Sequence, residues 1–426
     1  MKENPAPSCD VCVVGGAGRV GLPLALVLAD SGFKTLILDI NETALKTIAQ
    51  GAMPYREEGG QTLLKKVNGT GRLTFSSEAN SITRAAVVVL TVGTPIDEFH
   101  NPNLSLLIRC LEGLIPHLRD EQTIILRSTI APGTTNYIDG YLRSRGKKIG
   151  LAFCPERVVQ GKAIEEIRAL PQLVSGTSPE ALAAAKTLFS KIAPEVVEMS
   201  PLEAEFAKLV CNAFRYMQFA ATNQLYMAVE SAGLDYCELL SKMKRGYPRM
   251  GSIPGPGFAA GPCLMKDTMQ LFAFQKHNFV LGQMAMTINE GLPNFIVEQL
   301  ARRFDLRTKR VGILGMAFKA DSDDIRDSLS YKLGKLLRFH GADVSYRTYL
   351  IPTSTPRILH SSTKKHWCAS VTLSFSGYRM PPIALFTCPG KKRLSIFGLR
   401  FPAAKRRRLH EADHLPKHSH SIPRLL

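Results

Sequence analysis

The chain has 426 residues, of which 45% are apolar, and a formal net charge of +18 at pH 7. This length is sufficient for two or three domains with hydrophobic cores, and the apolar content excludes a wholly disordered chain. No apolar run reaches the roughly 18 residues of a membrane span, and residues 1–7 lack the apolar core of a signal peptide, so the cytoplasm is the expected location.

The nine cysteines are scattered along the chain, which is typical of a reducing compartment and predicts no metal site. Cys9 and Cys12 form a lone CxxC motif at the start of the chain. We interpret it as part of a strand over residues 10–14, and a redox pair is the alternative.

A strand, a glycine turn, a helix and a second strand open the chain. The turn covers residues 15–21, the apolar helix runs through Leu28, and the second strand covers residues 34–40. Further strands separated by helical patterns are predicted at 85–92, 123–126, 150–153 and 172–176. This alternation is typical of an α/β fold with a Rossmann-type parallel sheet.

The first turn carries a dinucleotide-binding pattern, GxGxxG, formed by Gly16, Ala17, Gly18, Arg19, Val20 and Gly21. Between a strand and a helix, these glycines allow the backbone to approach a pyrophosphate at the helix N-terminus. Asp39 ends the second strand, where a carboxylate accepts hydrogen bonds from a ribose diol and repels a 2′-phosphate. The pattern therefore favours NAD over NADP, and a tight turn without a ligand is the alternative.

Polar residues follow the later strands at the edge of the sheet where ligands bind. Thr94 and Thr129 are candidate cofactor contacts, although such hydroxyls also act as turn or cap residues. Glu156, in the segment Cys-Pro-Glu-Arg, follows another strand end. We predict that it orients water or exchanges protons, and the alternative is an acid at a helix N-terminus.

Two long helices are predicted over residues 201–232 and 282–304, the second despite Pro293. Lys208 and Asn212 lie four residues apart on one face of the first helix. Side by side, a lysine and an amide can donate hydrogen bonds to a developing oxyanion. The alternative is an ordinary solvent-exposed face.

The segment over residues 255–267 is rich in glycine and proline and presents one cysteine, Cys263. Asp267 follows four residues later on the next predicted helix. A cysteine in such a loop is a nucleophile if a cation or a helix N-terminus lowers its pKa, and an inert buried thiol is the alternative.

A second α/β domain begins with a strand at 310–314, followed by Gly315, a helix over 328–339 and a strand from residue 343. We therefore divide the chain into an NAD-binding domain (8–200), a helical dimerisation and cysteine region (201–305), the start of a UDP-binding domain (306–346) and an irregular tail (347–426). The tail has 15 Lys and Arg against 2 Asp and Glu, so most of the net charge lies there.

Seven segments resemble the UDP-glucose/GDP-mannose dehydrogenase family, in order and at similar spacing, over residues 8–346. They are GRVGLPLA, VGTP, RSTIAPGTT, CPERV, EFAKLVCNAFR, GPGFAAGPCLMKDT and GMAFKADSDDIRDS. The resemblance implies a four-electron oxidation of a nucleotide sugar's C6 alcohol to the uronate with two NAD, for polysaccharide precursor synthesis, and a homodimer formed through the central helices.

The resemblance also implies roles for individual residues. Cys263 would be the nucleophile that forms a thiohemiacetal and a thioester, Lys208 and Asn212 the oxyanion partners, and Asp267 and Glu156 the groups that handle water and protons. The substrate-binding residues would be Arg157, Phe258, Gly261, Lys319 and Arg326. The loop before Cys263 is most similar to the UDP-N-acetylmannosamine and UDP-N-acetylglucosamine branch, so a UDP-N-acetylhexosamine is the expected substrate.

The tail departs from the family pattern. When each codon's third base is read with the first two of the next, and synonymous choices are left free, residues 369–384 yield ERDVVILGVPHAAYR and residues 391–398 yield KAVVDIW. Both resemble the family's missing segments. We hypothesise that residues from about 347 onward are an out-of-frame, disordered translation product, and that the basic run over 405–408 is accidental.

Three alternatives remain open from the sequence. The first alternative is a simple hydroxyacid or sugar dehydrogenase without covalent catalysis. The second is an inactive product that lacks the UDP half-site, and the third is a nucleic-acid-binding protein with an inactive Rossmann domain. The first two share the predicted fold. The third requires salt-dependent binding through the tail, and we expect no nucleic-acid or membrane partner.

Overall fold

The computed structural model describes residues 8–319, 322–347 and 371–374. It contains one eight-stranded sheet and one three-stranded sheet, with a helical region between them in the chain. None of the helices in the described ranges combines the length and apolar character that a membrane crossing requires.

The larger sheet has the strand order β3-β2-β1-β4-β5-β6-β7-β8. Neighbouring strands are parallel except for β6 and β7. Its strands are β1 Cys9–Val14, β2 Thr35–Leu38, β3 Leu73–Ser76, β4 Ala85–Leu90, β5 Thr123–Leu126, β6 Gly150–Phe153, β7 Gln172–Gly176 and β8 Val196–Glu198. The predicted Rossmann-type sheet is confirmed, since the order reverses between β1 and β4 as in dinucleotide-binding domains.

Alternate residues of β1 face opposite sides of this sheet. Val11 and Val13 pack in the core on one side, whereas Cys12 and Val14 pack in the core on the other. Burial raises the pKa of the Cys12 thiol, so Cys12 remains a protonated core residue. Cys9 and Cys12 thus belong to a strand, as the sequence predicted.

Seven helices cover this sheet. The first, α1, is buried along nearly its whole length, which explains its continuous apolar sequence. These helices are α1 Gly21–Asp30, α2 Glu42–Ala49, α3 Gly60–Asn68, α4 Ser105–Leu114, α5 Thr134–Ser144, α6 Ala163–Ala169 and α7 Pro179–Phe189.

The helical region contains α8 Pro201–Ser231, α9 Tyr236–Met243, α10 Leu264–Phe274 and α11 Val280–Arg303. Ser200 and Glu203 form a capping box at the start of α8, where Pro201 occupies the first turn. The long α8 packs against both α10 and α11. The two predicted long helices are confirmed, and α11 continues through a buried Pro293.

The smaller sheet follows α11. It contains β9 Arg310–Leu314, β10 Asp343–Arg347 and β11 Val371–Ser374, with α12 Leu329–Phe339 between the first two strands. The order is β10-β9-β11, and all pairs are parallel. Side chains of β9, α11 and α12 form one core here.

Strand β11 lies in the segment for which the sequence predicted no regular structure. Its sequence, Val-Thr-Leu-Ser, alternates apolar and polar residues, which is the period of a strand. The remaining residues of that segment, 348–370 and 375–426, lie outside the described residues, and so do the basic run and most of the proposed out-of-frame region.

Candidate active site

Two glycines of the turn after β1 have no room for a side chain. A Cβ atom on Gly16 would lie 2.6 Å from the Val13 carbonyl oxygen, and one on Gly21 would lie 2.5 Å from that of Gly15. At the helix N-cap, Val20 provides no side-chain hydrogen bond to the first turn of α1. The turn thus offers a close backbone approach and an uncapped helix N-terminus, which fits the pyrophosphate of a dinucleotide.

Asp39 connects the glycine turn to the end of β2. Its two carboxylate oxygens accept hydrogen bonds from the backbone N–H of Ala17, at 3.0 Å, and of Asn41, at 2.9 Å. The carboxylate is therefore fixed beside the turn, in the position where the sequence predicted a ribose contact.

The loops after β4 and β5 are joined through hydroxyl groups. Thr94 donates its hydroxyl hydrogen to the Thr129 carbonyl oxygen, and Ser128 donates to the Val92 carbonyl oxygen. Thr94 is buried. These contacts bring both predicted threonines together at the ligand edge, and the Thr94 hydroxyl stabilises the loop there, as the alternative interpretation proposed.

A buried carboxylate on α8 connects that helix to the first domain. Glu205 accepts hydrogen bonds from the backbone N–H of Gly133 at 2.6 Å and from the N–H and hydroxyl of Thr135 at 2.7 and 2.6 Å. Burial raises the pKa of Glu205, and these hydrogen bonds oppose the rise. Glu205 thus caps the N-terminus of α5 and fixes the beginning of α8 against it.

Asn212 makes the next contact along α8. Its side-chain nitrogen donates a 2.6 Å hydrogen bond to Asp267 Oδ2 in α10. Asp267 is fully buried, and Lys266 Nζ lies 3.0 Å from its other oxygen. Glu205 and Asn212 are seven residues apart, so they lie on nearly the same face and about 10 Å apart along the helix axis. One face of α8 therefore links α5 of the first domain to α10.

Cys263 is the N-cap residue of α10 and is exposed. The surrounding protein dehydrates its thiolate, and this, together with the nearby Asp267 carboxylate, raises the pKa of the thiol. Lys208, Lys266 and Arg326 lie close enough to lower that pKa. The structure therefore places Cys263 with Lys208, Asn212, Asp267 and Arg326, which were all predicted site residues.

The loop before Cys263 is held from two sides. On one side, the Asn223 side chain both donates to the Gly257 carbonyl oxygen and accepts from the Gly257 N–H, each at 2.8 Å. On the other, Gly261 has a φ of +95° and contacts Phe318, whose ring a Cβ at Gly261 would meet at 2.4 Å. Asn223 was missed in the sequence, where its only signal is a polar residue within a long helical pattern.

The remaining predicted substrate contacts occupy different positions. Phe258 is partly buried against the core of the smaller sheet. Burial raises the pKa of Glu57, and the Lys319 ammonium is near enough to oppose that rise. Arg19, from the glycine turn, forms a 2.6 Å ion pair with Asp323 and lies over the Tyr55 ring. Arg19 therefore contacts the loop that follows β9.

Glu156 and Arg157 belong to a polar group centred on Arg127. The Arg127 side chain is fully buried, pairs with Glu156 and donates to Gln172 Oε1 at 3.1 Å. Glu156 also accepts from the backbone N–H groups of Arg157 and Val158, and Arg157 donates to the Pro171 carbonyl oxygen. Arg127 was missed as a site residue, because a lone arginine after a strand gives no signal of its buried partner.

Comparisons with known proteins agree with this arrangement. Residues 9–193 match the NAD-binding domain of the UDP-glucose/GDP-mannose dehydrogenase family, and residues 202–291 match its central domain. NAD is therefore the cofactor that the first domain binds, and the glycine turn and Asp39 are suited to it.

Individual relatives share most of the chain. A UDP-N-acetyl-D-mannosamine dehydrogenase from Methanocaldococcus jannaschii is 30% identical over 339 residues, which is 78% of each chain. An NDP-N-acetyl-D-galactosaminuronic acid dehydrogenase from Ralstonia nicotianae is 29% identical over 74% of this chain and 77% of its own. A solved UDP-N-acetyl-mannosamine dehydrogenase from Pyrococcus horikoshii superposes with a TM-score of 0.76 at 27% identity, covering 86% of this chain and 88% of its own.

The Asp39 contact generates a prediction about the cofactor. Asp39→Ala should weaken NAD binding about tenfold or more, because a charged hydrogen-bond acceptor for the ribose is lost. It should also narrow the preference for NAD over NADP. Titration of both cofactors, followed by protein fluorescence or calorimetry, measures the two affinities.

Asp10→Ala is the matched control. Asp10 accepts a 2.7 Å hydrogen bond from the Lys34 N–H at the opposite end of β1, so it also joins two strands through a carboxylate. NAD affinity should be unchanged in that variant. Equal losses in the two variants would contradict a ribose contact for Asp39.

Proposed function

This chain belongs to the UDP-glucose/GDP-mannose dehydrogenase family, and from that premise we propose that it oxidises the C6 alcohol of a UDP-N-acetylhexosamine to the uronate through Cys263. The observation that carries the proposal is the convergence of Lys208, Asp267 and Arg326 on the cysteine at the N-terminus of α10. The surrounding protein and Asp267 raise the pKa of this thiol, contrary to the lowered pKa expected from the sequence, whereas Lys208 and Arg326 oppose the rise. In this proposal the cations stabilise the thiolate once Asp267 has taken its proton, and the thiolate attacks the carbonyl.

The reaction balances as a four-electron oxidation. The alcohol first loses a hydride and a proton to give an aldehyde. The Cys263 sulfur then bonds to the aldehyde carbon, and the carbonyl oxygen takes up a proton to form a thiohemiacetal. Loss of a second hydride and the hydroxyl proton leaves a thioester, and water cleaves the carbon–sulfur bond to release the acid and the thiol. NAD supplies the hydride acceptor, one molecule for each oxidation.

Lys208 and Asn212 are suited to the charge that develops on the sugar oxygen. An amide nitrogen has two N–H groups, so Asn212 keeps one donor for the oxyanion after it binds Asp267. The ammonium of Lys208 is near enough to the Cys263 sulfur to lower the pKa of the thiol. Each tetrahedral species bears negative charge on oxygen, so fixed donors at this point lower the barriers to its formation and collapse.

The carboxylates of Asp267 and Glu156 are the groups proposed to transfer protons. The Asp267 carboxylate helps to raise the pKa of Cys263, so the thiol keeps its proton until the aldehyde arrives. In this proposal Asp267 accepts that proton, and Glu156 orients the water that cleaves the thioester. Arg127 pairs with the Glu156 carboxylate and so fixes its orientation.

The substrate assignment depends on the segments around Cys263 and Glu156 and on the relatives. The Phe-Ala-Ala-Gly-Pro-Cys loop resembles the N-acetylhexosamine branch. Dehydrogenases named for UDP-N-acetylmannosamine are among the matched sequences and structures. The sugar nucleotide would contact Arg157, Phe258, Gly261, Lys319 and Arg326.

We also propose a homodimer formed through the central helices. Val210, Phe214 and Leu225 of α8 are about half exposed, at 52, 57 and 51%, although they are large apolar residues. A second copy of the chain that packs along α8 would remove this apolar area from water.

The domain division and the altered tail complete the proposal. Residues 8–200 would bind NAD, 201–305 would form the dimer and carry the cysteine, and 306–346 would begin a UDP-binding domain that the out-of-frame residues from 347 fail to complete. The polypeptide would then have low activity or none, although all the proposed catalytic residues are present.

Sequencing of the coding region and its transcript tests the tail hypothesis. We expect a single-base insertion or deletion near codon 347 relative to the frame that encodes the family-like segments. An intact frame in independent transcripts would overturn the hypothesis.

Cys263→Ser tests the covalent scheme. In the frame-restored chain, NAD and a UDP-N-acetylhexosamine should yield two NADH for each uronate formed, because both oxidations occur in one site. The serine variant should lose acid formation by several orders of magnitude, because a serine hydroxyl is a far weaker nucleophile than a thiolate. Absorbance measures the NADH formed, and chromatography measures the uronate formed.

The NADH count and the activity of the Cys263→Ser variant also distinguish the covalent scheme from a simple dehydrogenase. A single NADH per turnover with full activity in Cys263→Ser would indicate a simple dehydrogenase without covalent catalysis. Cys211→Ser is the matched control, because Cys211, which lies in α8, is an exposed thiol like Cys263. The Cys211→Ser variant should have normal activity.

Phe214→Glu tests the dimer. A charge in the centre of the apolar face should weaken self-association at least tenfold, which analytical ultracentrifugation measures. Tyr137→Glu is the control, because Tyr137 of α5 is equally exposed at 57% but does not belong to α8. A monomeric parent chain, or equal dissociation of both variants, would contradict the proposed interface.

A further inference from the structure

The loop between β9 and α12 contains an ion pair with unequal exposure. The Asp324 side chain is 3% exposed, whereas that of Arg326 is 60% exposed. The contact is bidentate: Arg326 Nη2 lies 2.6 Å from Asp324 Oδ2, and Nε lies 2.9 Å from Oδ1. A planar guanidinium held by both oxygens has a fixed orientation as well as a fixed distance.

Further contacts fix the Asp324 carboxylate itself. Gln160, from the loop after β6, donates a 3.0 Å hydrogen bond to Oδ2, and the Arg326 backbone N–H donates to Oδ1 at 3.1 Å. Arg19 Nε of the glycine turn lies 3.7 Å from Oδ2. Burial raises the pKa of Asp324, but the hydrogen bonds from Arg326 and Gln160 and the charge of Arg326 outweigh it and lower the pKa to about 2, so the carboxylate is ionised at neutral pH.

Arg326 also acts on the reactive thiol. The Gly261 N–H, two residues before Cys263, donates a 3.2 Å hydrogen bond to the carbonyl oxygen of Asp327, the residue after Arg326, so the two loops lie side by side. The Arg326 charge lowers the pKa of Cys263 across this contact. The charged groups that act on this thiol come from α8, from α10 and from the loop after β9: Lys208, Lys266, Asp267 and Arg326.

We propose that Asp324 is a positioning residue, which fixes the Arg326 guanidinium beside Cys263 and so increases the reactivity of this thiol. The proposal deepens the function assigned above and rests on it, because it takes Cys263 as the nucleophile. Asp324 is placed to act through Arg326, and Arg326 is the cation on which the effect depends.

The sign of the response distinguishes positioning from simple charge neutralisation. If Asp324 positions Arg326, its removal frees a long, exposed side chain to move into solvent, and the thiol loses a stabilising cation. The thiol pKa then rises. If Asp324 only neutralises Arg326, its removal leaves an unpaired cation in place, and the thiol pKa falls.

Alkylation of Cys263 in the full chain measures this response. The rate of iodoacetamide modification is followed against pH by mass spectrometry of the peptide that contains Cys263, so the other cysteines do not interfere. Asp324→Asn should move the profile about half to one pH unit upward and slow the reaction roughly three- to tenfold at pH 7. An unchanged profile or a downward shift would overturn the proposal.

Two further variants test the route of the effect. Arg326→Gln should shift the profile upward by at least as much, and Asp324→Asn should add nothing in that background, because both changes remove one interaction. Additive shifts would contradict action through Arg326.

Asp323→Asn is the matched control for a loosened loop. Asp323 is adjacent, binds Arg19 at 2.6 Å and the Arg56 N–H at 3.0 Å, and does not hold Arg326 in this structure. Its alkylation profile should match that of the parent chain. An equal upward shift would show that general loosening of the loop is responsible and would overturn the specific role of Asp324.

The alkylation assay requires no turnover, so its outcome is separate from that of the proposed function. If Cys263→Ser still forms uronate, the covalent scheme fails whatever the alkylation profiles show. If only the Asp324→Asn profile is unchanged, the positioning role fails and the covalent scheme stands.

Discussion

The hydrogen bond between Asn212 and Asp267 is the contact on which the arrangement of the site depends. It joins α8 to the first turn of α10 with both partners buried, at 2.6 Å. Seven residues earlier on the same face of α8, Glu205 binds the N-terminus of α5. Because a helix is rigid over two turns, these two contacts fix the distance between the ligand edge of the Rossmann sheet and Cys263.

A second connection approaches Cys263 from the smaller sheet. The loop after β9 binds the glycine turn through Arg19 and Asp323, and it carries Arg326 to the cysteine. The cofactor turn and the thiol are thus connected through both α8 and this loop. If the second domain is incomplete, as proposed, these contacts persist only where residues 315–319 and 322–328 keep their positions, and the proposed change in the tail would affect catalysis through this loop.

Much of this organisation follows from local sequence. The βαβ unit, the long helices α8 and α11 and strand β9 were predicted because their apolar patterns are continuous and their turns have distinctive glycines. Strands β3 and β8 were missed, since they are three or four residues long, lie at the two edges of the sheet and bury almost none of their side chains.

The sequence predicted the helices and strands better than it predicted which side chains contact each other. Cys263, Lys208, Asn212 and Asp267 were named from motif resemblance, and the structure brings them together. The Arg127–Glu156 pair, the Asn223–Gly257 bonds and the Arg19–Asp323 bridge were not anticipated. They join residues up to 304 positions apart, and only the tertiary fold determines which polar groups meet over such separations.

The central claim is that the oxidised sugar becomes covalently attached to Cys263. Rapid acid quenching of the frame-restored chain with NAD and a UDP-N-acetylhexosamine, followed by peptide mass spectrometry, tests this claim most directly. Use of a Glu156→Gln variant to slow thioester hydrolysis should increase the amount of trapped species. The account predicts an acyl adduct of the sugar nucleotide on the peptide that contains Cys263. Formation of uronate in the same samples, with that peptide unmodified or the adduct on another residue, would contradict it.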